Sequence, residues 1–297
     1  SVSASDIAIE ADEINNSGLL QANTGMAINA TQLDNSGSMY ANDVDITSDE
    51  INNSGLVQAN TGVAINATQL DNSGAIYANE VDMTSDYLLN TGVVQSQTDL
   101  KIEGERIENA GNVSANAMVI ESGEVSNAGI IKAENGMAID TITMDNSGGI
   151  GAGDIDIISN DVSNTGIIQS ETDMNIAAAN IDNGATLYAN NIDIDADIVS
   201  NTALIQAQSE LKVAAIDVGN AGTLYANKIA VDADELVNSN LVQSNTSLDV
   251  NTISMDNSGV LYANDIDIAS DDLSNSGIVQ SVESVVIKAS SLSNGGS

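Results

Sequence analysis

The stretch NNSGLLQANTGMAINATQL, Asn15 to Leu33, returns as NNSGLVQANTGVAINATQL from Asn52 to Leu70, with Leu20 becoming Val57 and Met26 becoming Val63. Residues 14–50 match residues 51–87 at 30 of 37 positions. The Asn of each N-x-G-like triplet marks the period: Asn16, Asn35, Asn53, Asn72, Asn90, Asn109, Asn127, Asn146, Asn164, Asn183, Asn201, Asn220, Asn238, Asn257, Asn275 and Asn294. Spacings alternate 19 and 18 throughout. Repetition at this period signals a solenoid.

Inside each interval the pattern has the period of a strand. The fourth residue after the anchor is aliphatic, from Leu20, Met39 and Val57 through to Val279, and the sixth is Ala or Ser. An aliphatic–x–aliphatic–x–small run follows, such as Met26-Ala-Ile28-Asn-Ala30, and one more aliphatic closes the unit: Leu33, Ile51, Leu70. This is the alternation of half-buried strands, and no helical spacing is sustained. A turn of 18 or 19 residues cannot bury an apolar face alone, so turns must stack and share one core. The extra residue of the longer turns falls at the second corner, where ANTGM (Ala22 to Met26) replaces ANDV (Ala41 to Val44). Gly occupies the N-x-G corner in 13 of 16 turns, as expected of a backbone with positive φ; Ala185, Ala203 and Asn240 depart from it.

The expectation is an all-β, right-handed parallel β-helix over residues 1–297: about 16 turns in eight 37-residue double-turn repeats, without caps. The right hand rests on the family resemblance given below together with the crossover preference of parallel strands. At roughly 4.8 Å per turn this predicts a rod of about 75 to 80 Å. Because neither end differs from the middle, a segment of a longer rod is expected, with head-to-tail stacking of whole chains as the alternative.

Composition agrees. Apolar residues make up 42% of the chain, yet Phe, Trp, Pro, Cys and His are absent and Tyr occurs six times. A narrow interior filled by columns of similar aliphatics has no room for large rings, and strands with neighbours on both sides leave no N–H to lose to proline. Forty-three acidic against six basic residues give a formal charge of −37, which argues against nucleic acid and anionic membrane surfaces as partners. No run of 18 apolar residues and no basic segment before an apolar one occurs.

The repeats resemble those of filamentous haemagglutinin and related two-partner secretion exoproteins, including contact-dependent growth inhibition exoproteins. The pattern G-x-[ILV]-x-A-x-x-x-[IL]-x-[IL]-x-A-x-x-[ILV]-x-N-x-G runs through essentially the whole chain. The resemblance implies a right-handed parallel β-helix and an extended, secreted cell-surface filament for adhesion or for presenting a distal module. It also implies an outer-membrane secretion partner and a host or neighbouring cell as target. Neither the secretion-recognition domain nor a C-terminal toxin or receptor-binding insert of such proteins is seen, so no functional residue of those parts is carried over.

Three surface columns are candidates for chemistry. Asp45, Asp82, Asp156, Asp193 and Asp267 share one position of the shorter turns, with neutral residues such as Ala27 and Ala64 between. They read as a solvated, repelling face or as a low-affinity Ca²⁺ ladder of oxygen ligands, although the glycine-rich nonapeptide of calcium β-rolls is missing. Tyr40, Tyr77, Tyr188, Tyr225 and Tyr262 share another position, alternating with Gln21, Gln58, Gln95, Gln169, Gln206, Gln243 and Gln280 in the longer turns. This stripe reads as side-chain packing or as a lateral or glycan contact face. The Asn anchors would form an amide ladder that satisfies corner backbone groups. No catalytic residue, cofactor or metal site is expected: His and Cys are lacking, and no turn is long enough to wall a cleft.

Overall fold

The computed structural model describes all 297 residues as strands and corners with no helix. The chain divides into two compact units, Ser1–Ala152 and Gly153–Ser297. Each is a parallel β-solenoid built from turns of 18 or 19 residues, about 16 turns in the whole chain. Within each unit strands pair in parallel with the strands one turn away.

The register carries out what the periodicity predicts. In the first unit Leu20 pairs with Met39 and Met39 with Val57. The column continues through Ile76, Val94, Val113, Ile131 and Ile150, and every one of these residues is at most 8% exposed. In the second unit Ile168, Leu187, Ile205, Leu224, Val242 and Leu261 form the equivalent buried column. Each aliphatic so buried contributes about 1.5–3 kcal/mol relative to an exposed one. A turn therefore owes its core to its neighbours on either side. The last turn shows the converse: Val285, Ile287 and Leu292, which pair with the buried Ile266, Ile268 and Leu273, are exposed.

The odd residue sits where the sequence places it. Ala41 pairs with Ala59, eighteen residues on, whereas Asp43 pairs with Gly62, nineteen on, so the ladder absorbs one residue at the second corner. The same shift recurs between Ala189 and Asn191 in the second unit. Some turns pass these bends without a break, giving continuous strands of 16 or 17 residues such as Ser38–Asn53 and Leu56–Asn72.

One expectation is corrected. No glycine has positive φ, so the N-x-G corner does not use glycine for a left-handed backbone. Its reason is close approach: a Cβ at Gly37, Gly55, Gly74, Gly92, Gly111, Gly129 or Gly148 would stand 2.1 Å from the carbonyl oxygen of the stacked glycine one turn earlier. Where a side chain is present the spacing becomes uneven: the bond to the preceding turn lengthens, while those made to Ala203 and Asn240 from the following turn shorten, Thr223 to Ala203 at 2.6 Å and Val260 to Asn240 at 2.7 Å. Leu241 N–H, next to Asn240, reaches the Gly222 carbonyl at 3.2 Å, and Thr186, next to Ala185, reaches Gly166 at 3.2 Å. The corresponding bonds from Leu56, Ala75 and Val93, each beside a stacked glycine, are 2.9 Å.

Candidate functional site

The Asn anchors form a buried ladder in each unit. Asn16, Asn35, Asn53, Asn72, Asn90, Asn109 and Asn127 each donate Nδ2–H to Oδ1 of the next anchor, ending at Asn146, over 2.7–2.8 Å. From Asn164 to Asn294 the second unit repeats the chain at 2.7–2.9 Å. The amide orientation is fixed independently, because the same nitrogen often donates to a carbonyl of the following turn: Asn16 to Ser38, Asn35 to Leu56, Asn183 to Leu204. The ladder thus saturates the amides and the corner backbone together. It leaves no atom for a ligand.

Within each unit the Tyr and Gln of the stripe share a column. Gln169, Tyr188, Gln206, Tyr225, Gln243, Tyr262 and Gln280 pair in sequence without interruption. In the first unit Gln21, Tyr40, Gln58, Tyr77 and Gln95 pair likewise, and Ser114 follows. The tyrosines are half-buried. Their phenols lean across the second corner: Tyr188 Oη accepts from Gln208, and Tyr225 Oη accepts from Asn245 Nδ2 at 3.0 Å.

The Asp column points outward and does not converge, and three of its members have a partner beside them. Asp156 accepts from Asn175 at 2.7 Å, Asp193 lies beside Lys212, and Asp267 meets Lys288 at 3.5 Å. Asp267 also pairs with Asp249, a like-charged neighbour. No three carboxylates gather as a cation site would require.

A further pattern, absent from the expectations, lies beside the Asn ladder. Glu13 and Asn15, then Gln32 and Asp34, Glu50 and Asn52, Gln69 and Asp71 occupy two columns in which carboxylate and carboxamide alternate both along and across the turns. Asn15 donates to Glu13 at 2.8 Å, Gln32 to Asp34 at 3.3 Å, and Asn52 to both Asp34 and Glu50 at 2.9 and 3.1 Å. Each carboxylate has an amide neighbour, so like charges never touch. The lattice ends at Tyr87 and Leu89, and Asp71 Oδ1 is left buried without a donor. Burial, then the charge of Glu108, push the Tyr87 phenol above its ordinary value.

Above Tyr87 lie the two cations that bridge turns in this unit. Arg106 contacts Glu108 at 2.7 Å and Glu124 at 3.3 Å, and Lys101 bridges Glu103 and Glu121. The hydrogen bond from Lys101 holds Glu103 below the usual carboxylate range, and the same bond raises Lys101; the bond to Glu108 raises Arg106. These groups are exposed, so the pairs contribute little.

Concave surface includes shallow, open grooves; one of about 560 Å³ runs over Asp232, Asp234, Thr252, Ile253, Asp271 and Lys288. Every buried polar side chain of the chain is Asn, Ser or Thr. The buried hydroxyls mostly turn back to the backbone: Ser48 to Glu50, Thr141 to Thr143, Ser270 to Asp272.

These features define the class: a parallel β-solenoid with saturated internal ladders and an acidic, amide-rich surface. In comparisons with known proteins, no family profile, no curated protein and no solved structure matches the chain.

Proposed function

We propose that the chain is the structural shaft of a secreted bacterial surface exoprotein of the filamentous haemagglutinin-like kind, serving as a rigid spacer and adhesin shaft. The observation that carries the reading is the unbroken column from Leu20 to Ile150 with the Asn16–Asn146 ladder beside it. Every turn spends its interior on its neighbours and its surface on solubility. No turn departs from 18 or 19 residues to build a lobe, and no ionisable residue is buried as a whole, although one oxygen of Asp71 is covered. A non-enzymatic role fits both facts. Extracellular location and delivery through an outer-membrane secretion partner rest on the resemblance of the repeats alone.

A second reading assigns binding to the same surface. It is favoured by the continuous Gln169–Gln280 column, whose half-buried tyrosines recur every second turn. Its target would be a protein or glycan of a host or neighbouring cell, or another copy of the chain packed laterally or end to end.

Adding the purified chain to cells and to immobilised glycans separates the two. The spacer reading expects no saturable binding. Saturable binding that disappears on Tyr188→Ser, Tyr225→Ser and Tyr262→Ser together would replace it with the second.

A further inference from the structure

Three Asn-Gly dipeptides occur: Asn135-Gly136, Asn183-Gly184 and Asn294-Gly295. Asn-Gly is the dipeptide in which the following backbone nitrogen is least shielded, because glycine has no Cβ. The fold treats the three differently.

Asn183 is a ladder residue with no exposed surface. Its Nδ2 donates to Asn201 Oδ1 at 2.8 Å, Ala185 O at 3.0 Å and Leu204 O at 3.1 Å, and the Gly184 N–H donates to Asn164 O at 2.8 Å. Both the leaving group and the attacking nitrogen are tied down. At Asn294 the Gly295 N–H is likewise engaged, with Asn275 O at 2.8 Å, and Asn294 Oδ1 accepts from Asn275 Nδ2.

Asn135 sits at the second corner, between the strands Ile130–Ala133 and Gly136–Asn146, and is exposed. Its side chain is held by one surface hydrogen bond, to Asn116 Oδ1 at 2.8 Å. Nothing lies within 4 Å of where a Gly136 side chain would stand. At the equivalent place in two other longer turns a carboxylate from the preceding turn covers the backbone N–H: Asp6 Oδ1 accepts from Gly25 at 3.2 Å, and Asp154 Oδ1 from Asp173 at 3.4 Å. Nineteen residues before Gly136 stands Ala117, which has no carboxylate to offer.

We infer that Asn135 is a site of spontaneous deamidation in the folded chain and that the ladder suppresses the same reaction at Asn183. The Gly136 nitrogen forms a bond to Asn135 Cγ, the Cγ–Nδ2 bond breaks, and the nitrogen leaves as ammonia carrying the proton lost from Gly136. Water then opens the five-membered succinimide at one carbonyl or the other, giving aspartate or isoaspartate. The product adds a negative charge beside Glu134 and removes the donor to Asn116. In isoaspartate the main chain also gains an atom at the corner where the longer turns already carry their extra residue.

The test is peptide mapping of the intact chain aged in mildly alkaline buffer, with isoaspartate-specific methylation as a second readout. Conversion is expected at Asn135, with Asn183 slower by on the order of tenfold or more in the folded chain, and the two rates converging in urea. Equal rates at the two sites in the folded chain overturn the inference. Ala117→Asp, which supplies the missing carboxylate at an exposed corner, is expected to slow Asn135. An unchanged rate in that variant, with melting also unchanged, removes the proposed structural cause. Gly136→Ala is expected to slow conversion regardless of the cap, and failure to do so would exclude attack by this nitrogen.

Discussion

Asn53 gives both hydrogens of its side-chain amide to the following turn, one to Asn72 Oδ1 at 2.7 Å and one to the Ala75 carbonyl at 3.4 Å, while its own Oδ1 accepts from Asn35. Two donors and an acceptor are spent inside a corner that is 2% exposed. Asn53→Asp would keep the shape and remove the donors, setting a carboxylate against the Asn72 oxygen. Leaving such groups unpaired costs about 1–3 kcal/mol, more if the carboxylate stays charged. Urea unfolding should show this loss, and Asn29→Asp, on the exposed side of its strand, should show almost none.

The glycine stack gives a second expectation. Gly74→Ala brings a methyl group to 2.1 Å from the Gly55 carbonyl and should cost about 1–3 kcal/mol by overpacking. Gly149→Ala meets nothing within 4 Å, and neither position has positive φ. There the stiffer unfolded chain should leave stability unchanged or raise it by about 0.4–1 kcal/mol. Thermal melts of the two variants provide the comparison.

Surface charge sets the response to acid. The chain carries −37 at neutral pH and has a sequence pI near 4.1, so repulsion between molecules fades as carboxylates protonate. Light scattering should rise as pH approaches the pI and fall again on return to neutrality. Glu103, depressed by Lys101, protonates late. Its bridge is fully present above the carboxylate's unfolded value and is lost only as pH falls through the lowered folded value. Titrating the Glu103 carboxyl by NMR should place its midpoint below the ordinary glutamate value, and Lys101→Gln should remove the depression.

Much of this architecture is legible in the sequence. Leu20, Met39 and Val57 declare their column because a stacked solenoid writes each contact as a sequence period, and ANTGM against ANDV locates the register shift at Ala41/Asp43. The role of the corner glycines was not legible: Gly74 looks the same in sequence whether it supplies φ or clearance, and only the 2.1 Å approach to Gly55 decides. The Glu13/Asn15 lattice was present as strict alternation, but its meaning depends on which side chains share a face one turn apart. The bond from Asn245 to Tyr225 joins residues 20 apart at a bend, where the period of a straight strand no longer predicts side-chain direction.

The central claim is that each turn's core is its neighbour, so distance must grow with turn number along any column. Spin labels on cysteines placed at Gln21, Gln58, Gln95 and Lys132, which continues that column through its pairing with Ser114, test it within the first unit, and the chain has no native cysteine to interfere. The account predicts separations from position 21 of about 9.6, 19 and 29 Å, at roughly 4.8 Å for each of two, four and six turns. Separations that fail to increase in equal steps would contradict it.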